Sequence, residues 1–480
     1  MISPAANKGP SIPGLLVPLA IGAAIALAPV PSGLPSNAWY YFALFTAIIV
    51  AMIAEPLPGA VLGLTGVILA AVLGLVRPTA AEATSWALSG FANSTVWLIF
   101  AAYMFALGYL QTGLGRRIAL HLIRLMGHRT LGLGYAISLA DLAIAPFTAS
   151  ATARTGGTIY PIIRNIPELY GSRPEDGTSR RIGAYIMYTA LAASMVTSSM
   201  FITALAPNAL AISVIAKMTN VNIPWVTWFT GFAPVGVTLL VSVPLLIYVI
   251  YPPEIKRAPE APRWAADKLR DMGPISRREM TLLVLVMAAL GLWIGATHFI
   301  EPALVAVLVV VLMVALRVLS WDEVIGNSQA WNVLIWFATL VTLATGLTET
   351  KFVDWIGRSI APALSGLGTY TTIVGLVGAF FFLHYFFASI TAHTTALLPV
   401  FLGVAVDIPG VSTMAWSLLL AYPLGLLGIL TTYSSGQTAL YYGSGFFTRR
   451  EFWVLGLVCG VFFFVVYITI IVPWLSFLGI

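Results

Sequence analysis

Two copies of one short polar motif interrupt long apolar segments of this 480-residue chain. The first reads Ser150-Ala151-Thr152-Ala153-Arg154-Thr155, and the second reads Ser389-Ile390-Thr391-Ala392-His393-Thr394, 239 residues later. Hydroxyl, apolar, hydroxyl, alanine, cation-capable residue and threonine recur in the same order, and a proline follows each copy, Pro161 and Pro399. A polar group in the middle of a bilayer is costly, and by default it marks a substrate or ion path. A polar break duplicated in the two halves of a membrane protein points to a carrier's binding site.

The bilayer itself follows from composition. Hydrophobic residues make up 59% of the chain and charged residues 9%, against roughly 25% charged in a soluble domain. A net charge of +6 would suggest nucleic acid in a soluble protein. Here the basic residues orient membrane spans instead, and no nucleic-acid partner is expected. A lone Cys459 excludes an intrachain disulfide. The apolar run after Lys8 lacks a convincing signal-peptidase site and reads as a retained first span.

A hydrocarbon core needs about 20 apolar residues per helix. That rule places spans near 13–31, 37–54, 57–76 and 92–112, then a basic amphipathic surface helix with Arg116, Arg117, Arg124 and Arg129. The first motif segment covers 131–165. It is followed by a span at 182–217, broken at Thr203 to Asn208, and another at 227–250. The Pro-rich, charged stretch 252–280 reads as a solvated loop. Spans near 281–298, 300–319 and 331–350, an amphipathic stretch at 351–362 and the second motif segment at 367–403 follow. A broken span at 413–446 and a last span at 452–476 complete the chain.

Treating both motif segments as re-entrant hairpins, with the N-terminus cytoplasmic, puts 19 of the 24 basic residues on the cytoplasmic side. Only Arg77, Lys217, Lys351 and Arg358 fall outside, and Arg154 sits at a tip. That asymmetry satisfies the positive-inside rule. Val96-Trp97-Leu98-Ile99-Phe100-Ala101 also resembles Val333-Leu334-Ile335-Trp336-Phe337-Ala338, with an odd number of spans between them, so the halves run in opposite directions. The expected fold is all-α and polytopic, an inverted-topology repeat with about 11 transmembrane helices and two re-entrant hairpins. Four segments result: scaffold and surface helix at 1–130, first hairpin and broken helix at 131–226, a connecting set at 227–366, and second hairpin, broken helix and last helix at 367–480.

A helix that stops at mid-membrane leaves its end groups unsatisfied and presents a positive dipole end. Two such ends form an anion site. Ser150, Thr152, Ser389 and Thr391 add hydroxyls at the tips, beside Ala151 and Ile390. The broken spans add Thr203, Pro207 and Asn208, and Thr431, Thr432, Ser434 and Ser435. Arg154 offers a bidentate fork for a carboxylate, unless it pairs with an acid such as Asp141. His393 occupies the same slot in the second copy and is either a titrating site residue or a buried neutral one. His384, among Phe381, Phe382, Phe386 and Phe387, reads as packing or a hairpin wall. No metal cluster or cofactor is expected.

These residues resemble the divalent-anion:sodium symporter superfamily, in particular its branch of 2-oxoglutarate/malate translocators and citrate/succinate and tartrate/succinate antiporters. The resemblance rests on SATARTGGTIYP (150–161), HYFFASITAHTTALLPVF (384–401) and GILTTYSSGQTALYYGSG (428–445). It implies a dimeric scaffold, a moving transport domain, an elevator mechanism and di- or tricarboxylate substrates such as malate, succinate or 2-oxoglutarate. Sodium-coupled members carry Ser-Asn-Thr at both tips, whereas Ala151 and Ile390 stand here. Neither side chain can supply the oxygen that a hard cation needs. The resemblance with this departure implies sodium-independent antiport in a bacterial inner membrane, Arg154 and His393 standing in for sodium's charge. A sodium- or proton-coupled symporter is the alternative. A membrane acyltransferase built on His393 lacks an orienting acid, and an anion channel fits two gating hairpins poorly.

Overall fold

The computed structural model describes residues 12–480 apart from 55, 175, 297–298 and 365–367, so Lys8 and the N-terminus lie outside the described residues. Among these residues the chain is helical, with one isolated bridge between Arg129 and Arg257. Among the described residues eight helices are long and apolar enough to cross a membrane, from Ser36–Ala54 to Arg449–Phe477, and five shorter apolar helices accompany them. The side chains on their outer faces, such as Leu69, Val241, Val284 and Val465, remain exposed. That pattern suits hydrocarbon outside the protein rather than water.

Both motif segments fold as helix, extended tip, helix. Thr130–Ile144 runs through a tight turn, Ala145–Phe147, into the tip, and helical backbone resumes from Ala151 to Ile163. Thr369–Phe382 runs through Leu383–Phe386 into the second tip, and Ile390–Ala405 follows. Both expected broken spans are broken. Gly183–Met200 gives way to Ala206–Thr219. Thr413–Ala421 continues in tight turns to Ile429 before Gly436–Tyr442 begins. Helix Ala206–Thr219 packs on Ile390–Ala405, so the two halves meet at these interrupted elements.

The stretch 252–280 is not the solvated loop expected from its prolines and charges. Glu260–Met272 is a helix that buries Ala261, Ala265 and Leu269 and packs on Leu114–Met126. The small apolar residues recur at helical spacing, which the charge content had masked. Arg117 ties this region down. Its Nε donates to Glu279 Oε1 at 2.7 Å and its Nη1 to the Gly273 carbonyl at 2.9 Å, with both side chains largely buried. Arg117 is therefore an inward-facing clamp rather than one of the basic residues on an outer face.

Candidate functional site

The two tips share one local device. Ser150 Oγ accepts from the Ala153 amide at 3.1 Å, and Ser389 Oγ accepts from the Ala392 amide at 3.4 Å. Each serine is an N-cap, which satisfies an amide that the helix start would leave bare. Behind the first cap the helix widens into a π turn over Thr155–Ile159, a distortion that often accompanies function. Ala151, Ile390 and Thr391 are buried, Ser389 is half-buried, and Thr152 is exposed.

Arg154 is not aimed at an open site. Its side chain is inaccessible, and six oxygens receive its N–H groups. Nε donates to Asp141 Oδ1 at 3.0 Å. Nη1 reaches the Thr148 carbonyl and hydroxyl at 3.3 and 3.4 Å and the Ala204 carbonyl at 3.0 Å. Nη2 reaches Thr197 Oγ1 and Ser198 Oγ at 3.2 and 3.1 Å. Thr197 in turn donates to the other Asp141 oxygen. The direct grip on a substrate carboxylate expected of Arg154 is replaced by a neutral buried ion pair that joins the first tip to the first helix break.

The second half keeps the register but changes the chemistry. Stepping 239 positions along the sequence takes Asp141 to Phe380, Thr148 to Phe387 and Arg154 to His393. Phe380 and Phe387 flank the His393 ring, with centroids 4.5 and 5.2 Å away. His384 crosses it edge-on at 5.0 Å. Both nitrogens of buried His393 lack a hydrogen-bond partner among the described residues. His384 is more than packing, since its Nε2 lies 3.0 Å from the Ser434 carbonyl and links the second hairpin to the second break.

The remaining candidates divide into two groups. Asn208 Nδ2 donates to the Ser198 and Phe201 carbonyls at 2.7 and 3.0 Å, closing the C-terminal end of Gly183–Met200. Pro207 opens the helix that follows, where its missing N–H costs nothing. Thr203 donates to the Pro146 carbonyl and so ties the break to the first tip. Thr431 Oγ1 accepts from the Tyr433 amide at 3.3 Å, Ser434 Oγ donates to the Gly428 carbonyl at 2.7 Å, and Ser435 caps Gly436–Tyr442. All of these hold the breaks open in a fixed shape. Thr152, Ser389 and Thr432 stay at least partly accessible. The first tip meets the second break directly, because a Cβ built on Gly436 would stand 2.5 Å from Thr152 Oγ1.

The sequence reading missed Thr148, Thr197, Ser198 and Ser199. Ser199 Oγ accepts from the Gly425 amide at 3.1 Å and joins the two breaks. The run Thr197-Ser198-Ser199 at the end of an apolar helix was the available signal. A crevice of about 810 Å³ opens between the first hairpin's return arm and the helices at 94–126, lined in part by Tyr109, Arg116, Thr158, Asn165 and Lys268.

Comparison with known proteins matches this architecture. Residues 11–480 fit the family described as the sodium:sulfate symporter transmembrane region. The L-tartrate/succinate antiporters of Shigella sonnei and Escherichia coli K12 are each 46% identical over 472 residues, covering 96% of this chain and 97% of theirs. Among solved structures, the YdaH transporter of Alcanivorax borkumensis has a TM-score of 0.55 at 15% identity, over 97% of both chains. MtrF of Neisseria gonorrhoeae has a TM-score of 0.54 at 12% identity, over 95% of this chain and 96% of its own. At those identities the likeness concerns the fold. The chain belongs to the divalent-anion:sodium symporter superfamily, a family of membrane transporters, through its sodium:sulfate symporter transmembrane region.

Proposed function

We propose that this protein is a dicarboxylate antiporter that exchanges substrates such as L-tartrate and succinate without sodium. The observation that carries the reading is the Arg154 guanidinium seated among six protein oxygens between the first tip and the first break. A coupling cation bound there would need that same oxygen set, and the guanidinium already occupies it. The extensive identity to L-tartrate/succinate antiporters supports the substrate class. Thr152, Ser389, Thr391 and Thr432, with the amides at the two helix starts, receive the carboxylates. Ser150, Thr203, Pro207, Asn208, Thr431, Ser434 and Ser435 shape the frame around them. The crevice beside Arg116 and Lys268 is the approach from the basic, cytoplasmic side.

In this reading the two halves are inverted repeats with re-entrant hairpins. The segments 131–226 and 367–480 move as a transport domain with Trp225–Ile250, against a homodimeric scaffold in a bacterial inner membrane. The deciding experiment uses liposomes loaded with succinate and offered labelled L-tartrate. Exchange should be nearly unchanged when choline replaces sodium. A tenfold or greater drop would favour sodium-coupled symport instead, and robust uptake into liposomes that hold no internal dicarboxylate would favour sodium- or proton-coupled symport over exchange.

A further inference from the structure

We infer that His384 and His393 together form a buried proton site, and that this site fills when a dianion binds at the tips. The inference rests on the dicarboxylate reading and concerns how the same site balances charge.

The Ser434 carbonyl can only accept, so His384 Nε2 carries the hydrogen and its Nδ1 is a bare acceptor with no partner among the described residues. Neutral His393 adds a second buried acceptor, and its own N–H is also unpartnered there. Unpaired polar atoms at this depth are expensive unless they serve a ligand. Among the described residues no carboxylate answers the pair. The position equivalent to Asp141 holds Phe380, and the aromatic rings set against His393 are those of Phe380, His384 and Phe387. Nearby elements carry Tyr41 on Ser36–Ala54, Lys217 on Ala206–Thr219, Glu349 at the end of Ser328–Glu349, Asp354 and Arg358 on Phe352–Leu364, Asp407 just past Ile390–Ala405, and Tyr385 and Tyr433 beside the hairpin. None of them bonds to either ring through its side chain.

His393 sits in the first turn of Ile390–Ala405, with its amide on the Ser389 carbonyl at 3.0 Å. A cation in a first helical turn opposes the helix dipole. Arg154 cannot offset a substrate's charge either, because Asp141 already cancels it. A dianion at the tips supplies the missing counter-charge. One proton from solvent then settles on an imidazole nitrogen of the pair. It leaves again with the substrate, and no covalent bond between heavy atoms changes. Proton and dianion binding are reciprocally coupled.

Calorimetric titration of the purified protein with succinate, in phosphate and in Tris, reads the protons taken up. About one proton per bound succinate is expected, and apparent affinity should weaken by up to about tenfold per pH unit where the site empties. His393→Gln should still bind saturably but more weakly, and lose the buffer dependence. His384→Gln should shift the pH profile. Saturable heat that is identical in both buffers from about pH 6.5 to about pH 8.5 would overturn the proton site while leaving dicarboxylate binding intact. Should either variant fail to fold, the wild-type comparison decides alone. The lack of saturable heat with both succinate and L-tartrate would overturn the exchange reading and this inference together.

Discussion

At the scale of single residues, the Asp141–Arg154 pair is the costliest group of atoms to disturb. Asp141→Asn leaves the guanidinium buried without its counter-charge, a loss of ~3–5 kcal/mol by analogy with other broken buried pairs. Asp141→Asn combined with Arg154→Gln should cost less than the sum of the two single changes, because neither charge is then stranded. Thermal unfolding of detergent-purified variants measures both. Arg154→Lys should also be destabilised, since an ammonium cannot span six oxygens arranged for a planar fork. Asp141 could be proposed from sequence as a partner because it is a lone acid in an apolar helix. Thr148 and Ser198 could not, because which hydroxyl faces a guanidinium depends on how far two breaks are offset in space. Sequence spacing does not carry that offset.

At the scale of elements, the first tip and the second break meet closely. Gly436→Val would drive a side chain into Thr152. Both positions are exposed, so the variant should unfold at nearly the wild-type temperature while labelled-tartrate exchange falls by about tenfold or more. Adding Thr152→Ala should recover part of that loss. The interrupted elements were legible because a cluster of hydroxyls, glycine and proline weakens an apolar helix where lipid cannot satisfy the freed backbone. Helix Glu260–Met272 was not, since its buried face is built from alanines, a proline and one leucine, which read as neutral among so many charges. The short helix Trp321–Gly326 escaped notice too, although its Ser320–Glu323 capping box is a recognisable start signal.

At the scale of the whole molecule, one polar contact that the proposed transport domain would have to break can be named. Ser213, on the far half of the first broken helix, meets Asn93 at the head of Ser94–Thr112, Oγ to Oδ1, at 3.3 Å. Cysteines at both positions, bridged by a short bifunctional reagent with a disulfide in its spacer, should stop exchange, and a reductant should restore it. The native Cys459 is buried and free, so it should not interfere. Continued exchange in the bridged protein would place Asn93 and Ser213 in the same rigid body. The neutral ion pair at the first tip has an electrical consequence. Carrying one uncompensated charge through 100 mV takes about 2.3 kcal/mol of work. In the proposed movement Arg154 would travel with Asp141 as its own counter-ion and add nothing to that work. A swap of one dianion for another, each with the same proton complement, is then silent to the membrane potential. Exchange in liposomes clamped with valinomycin should run at one rate whether the potential is zero or strongly negative, so a cell could trade these acids across a membrane it has ceased to energise.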